Sequence, residues 1–294
     1  MDLILLTVDY LHKEIPIIEA EIMSIESQLR NTVSQDEFNK IKTNIDKTMM
    51  EFQTQLQERK RLKFIRDSDD YQRGRPIVAS TGSLLSPLAM VLEKILSPLL
   101  CHIPSYLRDT SHFLSAIRDV GIVPAECYLV TLDVNSLYTN INNTDGIKAV
   151  KSFLDDTTEF NLDLKEFCIA LLTLILTKNF FLFEDDFFIQ LNGTAMGSNV
   201  APPYANIFMA DFEGKFVYTH VLFQQFCPLW KRYIDDIFLI WNGDLDSLFS
   251  FYDSINKSVD RLTFSIQHDR KSISFLDTLV TINDDRSLST DLFC

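Results

Sequence analysis

Trp230-Lys231-Arg232-Tyr233-Ile234-Asp235-Asp236-Ile237-Phe238-Leu239-Ile240-Trp241 reads as two strands joined at a tight turn, because aromatic and β-branched residues crowd both sides of one acidic pair. The dipeptide Asp-Asp also stands at 69–70, 155–156, 185–186 and 284–285, but only at 235–236 is it clamped between strong strand formers. Two adjacent carboxylates in such a place repel each other and oppose burial unless a cation lies between them. Asp235 and Asp236 are therefore candidate metal ligands.

Upstream, Tyr128-Leu129-Val130-Thr131-Leu132-Asp133-Val134 has the density of a buried strand, and alternation sends Asp133 to the face opposite Val130, Leu132 and Val134. Taken alone, an Asp at a strand end is an ordinary turn or cap residue. Phe180 to Leu191 reads as a hairpin turning at Glu184-Asp185, and Leu262 to Gln267 and Ile273 to Ile282 supply further strand-like segments. Helical spacing runs from Leu84 to Leu100 and again from Tyr106 to Val120. The expected class is α+β, with helices on one face of a mainly antiparallel sheet. One chemistry needs acids in this arrangement: nucleotidyl transfer uses two hard cations roughly 4 Å apart. Mg²⁺ suits it, because Mg²⁺ keeps several waters and needs only a few carboxylates beside the substrate's phosphates.

The first part of the chain has a different character. Ile18, Ile22, Ile25 and Leu29 form one helical stripe, Ser34-Gln35-Asp36-Glu37 is a capping box, and Phe38, Ile41, Ile45, Met49, Phe52 and Leu56 repeat at helical spacing. Two helices so patterned zip into an antiparallel hairpin, or form a coiled coil with another chain, which makes a homo-oligomer through these helices a candidate assembly. From Glu58 to Arg75, basic residues interleave with Phe64 and Tyr71, a pattern that suits a nucleic-acid contact and equally a solvated helix end. The expected division is a helical segment with a basic end over 1–74 and an α+β domain over 75–294.

Composition sets bounds on partners. A formal net charge of -14 counts against a surface that grips nucleic acid everywhere, although a local basic groove or a metal-loaded acidic site overrides the sum. Cys101, Cys127, Cys168, Cys227 and Cys294 lie far apart with no CxxC pair, as reduced, intracellular thiols do. The longest apolar run, Phe167 to Thr177, is about half of a bilayer span, so no membrane is expected as a partner.

Three motifs together carry a resemblance. Leu132-Asp133-Val134-Asn135-Ser136-Leu137-Tyr138-Thr139-Asn140-Ile141, Gly193-Thr194-Ala195-Met196-Gly197-Ser198-Asn199-Val200-Ala201-Pro202 and Tyr233-Ile234-Asp235-Asp236 resemble, in order and spacing, motifs A, B and C of reverse transcriptases, most closely those of Penelope-like retroelements. The resemblance implies a polymerase palm and fingers preceded by the helical hairpin, and an RNA-directed DNA polymerase joining a deoxynucleotide (dNTP) to a primer 3′-hydroxyl on an RNA or DNA template. It implies that Asp133, Asp235 and Asp236, with the Val134 carbonyl, hold two Mg²⁺ or Mn²⁺ ions. It further implies that Tyr138 lies beneath the incoming sugar and rejects a 2′-hydroxyl, that Gly193 and Gly197 let backbone approach the substrate, and that Arg75, in Arg75-Pro76-Ile77-Val78, contacts the triphosphate. Leu262-Thr263-Phe264-Ser265-Ile266 and Phe275-Leu276-Asp277 resemble the segment after the YxDD hairpin.

The match also departs from the family. The fingers are shortened before Arg75, and neither a thumb nor a GIY-YIG endonuclease is matched, which predicts weak processive synthesis. Two other readings stand beside the polymerase: an inactive retroelement remnant acting as a helical oligomerisation or interaction protein, and an RNA-directed RNA polymerase, which Tyr138 argues against.

Overall fold

A computed structural model of the chain describes residues 3–6, 8–30, 35–58, 85–183 and 186–292. In chain order its first elements are β1 (Leu3–Leu6), α1 (Val8–Leu29), α2 (Gln35–Glu58), α3 (Ser86–Leu96), α4 (Thr110–Val120), β2 (Tyr128–Val134), α5 (Leu137–Asn140) and α6 (Asn143–Asp156). There follow α7 (Leu162–Thr177), β3 (Phe180–Phe183), β4 (Asp186–Gln190), α8 (Ala201–Phe212), α9 (Val221–Phe226), β5 (Leu229–Tyr233) and β6 (Asp236–Trp241). The last elements are α10 (Leu245–Asn256), β7 (Phe264–Asp269), β8 (Ser272–Phe275), β9 (Thr278–Ile282) and β10 (Leu288–Leu292).

The described residues divide into two compact units, one within Met1–Pro98 and Tyr138–Tyr204, the other within Leu99–Leu137 and Ala205–Cys294. Within the first unit, α1 and α2 bury their apolar stripes, while the boundary expected at residue 74 lies outside the described residues. Ile15, Ile18, Ile22, Ile25, Phe38 and Ile45 are all buried. α1 packs on α2 and on α7, and α2 packs on α3. Lys42 reaches Glu26 at 3.0 Å and the Arg30 guanidinium lies 5.0 Å from the Phe38 ring, contacts whose order shows that α1 and α2 run antiparallel. Lys178, just past α7, closes a half-buried ion pair with Glu14 of α1 at 2.6 Å. The capping residue Ser34 and the basic stretch beyond Glu58 lie outside the described residues.

One mainly antiparallel sheet was the expectation; the described strands instead form three antiparallel sheets, ordered β1-β4-β3, β10-β9-β8 and β5-β6-β2-β7. The reason is local. The Phe180 to Leu191 hairpin finds its third strand in Leu3–Leu6, apolar residues without alternation that the sequence attaches to the N-terminal helices. Likewise Ile273 to Ile282 is a complete hairpin, β8 with β9, turning at Leu276-Asp277 and extended by β10.

The second unit positions the acidic residues. β2 is an inner strand, paired with β6 on one side and β7 on the other, so that the residues from Leu129 to Asp133 are flanked by two neighbours. Its core gathers Phe113 and Ile117 from α4, Leu129 from β2, Phe238 and Ile240 from β6, and Ile273, Phe275 and Val280 from the β8–β9 hairpin. Phe113 meets the Phe238 ring at 5.1 Å and the Phe275 ring at 4.6 Å, near the separations at which aromatic pairs add stability beyond their buried area. The acids therefore stand at the end of a rigid scaffold.

Candidate active site

The Asp133 and Asp236 residues are directly opposed in the antiparallel pairing of β2 with β6, at the end of the sheet where β5 turns into β6. Opposed residues on neighbouring strands hold their Cβ atoms roughly 5 Å apart. Asp235 occupies the second position of the two-residue turn, and its carbonyl accepts a hydrogen bond from the Val134 N–H at 3.0 Å. Burial, with Asp235 and then Asp133 adding like charge, pushes the Asp236 carboxyl up to about 6. Asp235 and Asp133 thus both act electrostatically on Asp236. They do not form a finished ligand sphere: among the described residues no group of three or more His, Cys, Asp or Glu side chains is gathered to hold a metal. A facing pair with a third carboxylate at the adjoining turn is the arrangement present. Surplus negative charge at its centre is the feature that suits a hard cation.

The turn that carries Asp235 is set by an unusual residue. Ile234 has φ 57, a left-handed conformation for which glycine is the ordinary choice in a hairpin tip and which a β-branched side chain resists. Arg232, two residues earlier, is fully buried and donates from Nη1 to the Ile234 carbonyl at 3.2 Å. Its Nε donates to Glu213 at 2.8 Å, and Glu213 is fully buried as well. Sequence reasoning missed this pair, because an Arg in a strand normally faces solvent. The signal was alternation: Trp230 and Arg232 share one face of β5, and that face is the buried one.

Tyr138, Gly193 and Gly197 belong to the first unit. Tyr138 is half-buried in α5 and Gly197 is exposed in the loop before α8. Gly193 has φ 76, and a Cβ there would lie 2.3 Å from the Tyr138 carbonyl oxygen and 2.7 Å from the Thr139 Cα. The next amide, Thr194 N–H, donates to that same carbonyl at 2.8 Å. Gly193 therefore serves a close backbone approach, but the approach is to the Tyr138-Thr139 segment of the chain itself. Pro202 and Pro203 fall in the first turn of α8, where a missing N–H is tolerated. Arg75 lies outside the described residues. Among the described residues, no helix is long and apolar enough to cross a membrane. Cys101, Cys127, Cys168 and Cys227 are free thiols.

No family model matches the chain, and no curated protein matches it. Solved structures do. Apo telomerase from Candida tropicalis, truncated from its C-terminal domain, superposes with a TM-score of 0.55 at 15% identity, over 71% of this chain and 45% of that one. Telomerase from Candida albicans in complex with a TWJ fragment of telomeric RNA gives 0.53 at 14% identity, over 71% and 38%. The BmCPV RNA-dependent RNA polymerase in its elongation state gives 0.50 at 10% identity, over 68% and 20%. The chain spans less than half the length of each of these proteins. Likeness at such identities is one of fold: the chain has a polymerase-like fold of mixed helices and antiparallel sheets.

Proposed function

We propose that the chain is the core of an RNA-directed DNA polymerase of retroelement origin, most like the Penelope-like group, which adds deoxynucleotides to a primer paired with an RNA or DNA template. One observation carries this reading: Asp133 and Asp236 face each other at a sheet end, with Asp235 at the adjoining hairpin tip, and like charge converges on Asp236. Polymerase folds among the similar structures support it. Asp133, Asp235, Asp236 and the Val134 carbonyl would hold two Mg²⁺ or Mn²⁺ ions, which when bound supply an acidified primer hydroxyl and neutralise the departing pyrophosphate.

The chain's own residues do the positioning. Asp133 and Asp236, opposed by strand pairing, would present carboxylate oxygens from a pre-set frame. Tyr138 would press its ring against the sugar at C2′ and so favour deoxynucleotides, Gly193 and Gly197 would shape the loop beneath the base pair, and Arg75 would grip the triphosphate bidentately. Primer extension with Mg²⁺ or Mn²⁺ tests the reading by comparing wild type with Asp235→Asn. Template-dependent incorporation that the substitution abolishes is the expected result. Equal incorporation by both proteins would remove the mechanism.

A second reading is favoured by the lack of a gathered metal-ligand set among the described residues, together with Ile17, Met23 and Met50 exposed on α1 and α2. It is a catalytically inactive remnant whose helices mediate oligomerisation. Light scattering of the full chain across a dilution series, with no metal-dependent nucleotide binding, would select it.

A further inference from the structure

Beneath the Ile234-Asp235 tip lies a buried polar network that packing alone does not need. The Arg232 guanidinium donates from Nε to Glu213 Oε1 at 2.8 Å, from Nη1 to Asn206 Oδ1 at 2.7 Å and to the Ile234 carbonyl at 3.2 Å, and from Nη2 to the Asn206 carbonyl at 3.2 Å. Glu213 in turn accepts from Trp230 Nε1 at 2.9 Å and from the Ser105 hydroxyl. The arginine's own amide donates to the Ser105 carbonyl at 2.7 Å. Glu213 opens a π-helical turn, Glu213–Val217, closed by the Tyr218 N–H donating to its carbonyl at 2.9 Å. Such turns break helical regularity and recur at functional sites.

We propose that Arg232 and Glu213 are positioning residues that hold the hairpin tip, and with it Asp235 and Asp236, in the orientation the site uses. A buried ion pair is a poor source of stability, since apolar residues of similar volume often serve as well. Its distinctive contribution is geometric. A planar guanidinium with five donors cannot turn away from the Ile234 carbonyl without losing Glu213 or Asn206 at the same time. Ile234 needs such a restraint, because nothing in an isoleucine favours φ 57. The proposal depends on the polymerase reading only for what the tip is used for; the restraint itself is tested independently.

The test uses the full chain carrying Arg232→Met with Glu213→Gln, which removes both charges while the Gln oxygen still accepts from Trp230. Hydrogen exchange at the Val134 amide, which donates to the Asp235 carbonyl, reports the tip directly. Loss of a charged hydrogen bond is expected to speed exchange there by about tenfold or more relative to Leu239 in the middle of β6, with cooperative unfolding retained. In primer extension kcat should fall about ten- to a hundredfold with the nucleotide KM unchanged, the pattern of a displaced reactive group rather than a lost binding contact. Unchanged exchange at Val134 in a folded double variant overturns the proposal. So does equal acceleration at Val134 and Leu239, which would make the pair a general prop of the sheet. Should the double variant not fold, Arg232→Lys, which keeps a cation for Glu213 but loses the fork to Ile234, decides by the same ratio. If the wild type incorporates no nucleotide, the polymerase reading fails while the exchange ratio still decides the restraint.

Discussion

Removing the central carboxylate charge should make this protein more stable. Asp236 has its carboxyl raised from 3.8 to about 6 by burial, by Asp235 and by Asp133, so the folded chain holds a proton there more tightly than the unfolded chain does. A raised carboxyl contributes stability that is fully present below about pH 4 and is lost as pH climbs through about 6. A shift of about two pK units would correspond to roughly 3 kcal/mol in a fully buried group, each unit being about 1.4 kcal/mol, and solvent screening of the half-buried Asp236 cuts this to about 1–2 kcal/mol of destabilisation at pH 7. Asp236→Asn keeps the shape and deletes the charge. At pH 7, without divalent metal, it should therefore unfold with a free energy about 1–2 kcal/mol higher than wild type, and the gap should close as pH falls from 6 to 4. Urea titration followed by tryptophan fluorescence is suited to the measurement, because the chain's two tryptophans, Trp230 and Trp241, lie in β5 and β6, the strands that flank the turn. Adding Mn²⁺ should narrow the gap at pH 7 by stabilising wild type alone. A variant no more stable than wild type at pH 7, or a gap that persists unchanged at pH 4, refutes the charge-cluster account.

Other perturbations separate structural from chemical roles. Gly193→Ala should lower stability by about 2–4 kcal/mol in thermal or chemical unfolding, since its Cβ would sit 2.3 Å from the Tyr138 carbonyl at a positive φ; a loss under 1 kcal/mol would show that the loop yields. Tyr204→Phe should be neutral or stabilising by about 1 kcal/mol, because the Tyr204 hydroxyl is buried without a hydrogen-bond partner among the described residues; a marked loss would reveal a partner for it. Tyr138→Ala should admit ribonucleotides in the primer-extension assay, and unchanged discrimination against them would take the sugar-gate role from Tyr138.

What was legible in the sequence follows from how local each signal is. The β5–β6 hairpin and the Asp133 strand show because strand formers bracket acids within a few residues, and the observed register puts Asp133 opposite Asp236. The stripes of α1 and α2 show because helical period is local, and the buried Ile18, Ile22 and Phe38 lie where the stripes put them. Leu3–Leu6 does not show: four apolar residues carry no period, and only the edge of β4, far along the chain, makes them a strand. β10 is hidden for the opposite reason, being largely exposed and polar enough to pass for a loop. Glu213 is out of reach too, since its partners at 105, 230 and 232 are gathered by the fold rather than by sequence proximity.

Strain alone does not mark the site, and the molecule supplies its own control. The β8–β9 hairpin also turns through two residues, an aliphatic one with positive φ, Leu276 at 51, and then an aspartate, Asp277. There the turn is closed locally, by the Thr278 hydroxyl donating to the Phe275 carbonyl at 2.8 Å. At the Ile234-Asp235 turn the restraints are a guanidinium fixed from beneath by Glu213 and Asn206, and the Val134 amide of the neighbouring strand. A side chain that bridges its own turn keeps only that turn in shape. A tip tied to β2 and to α8 is fixed relative to Asp133, which lies on β2, so the distance between Asp133 and the two acids of the tip becomes a property of the fold rather than of the loop. A site that binds charge by pre-set carboxylates requires that property, and among these two hairpins only one has it.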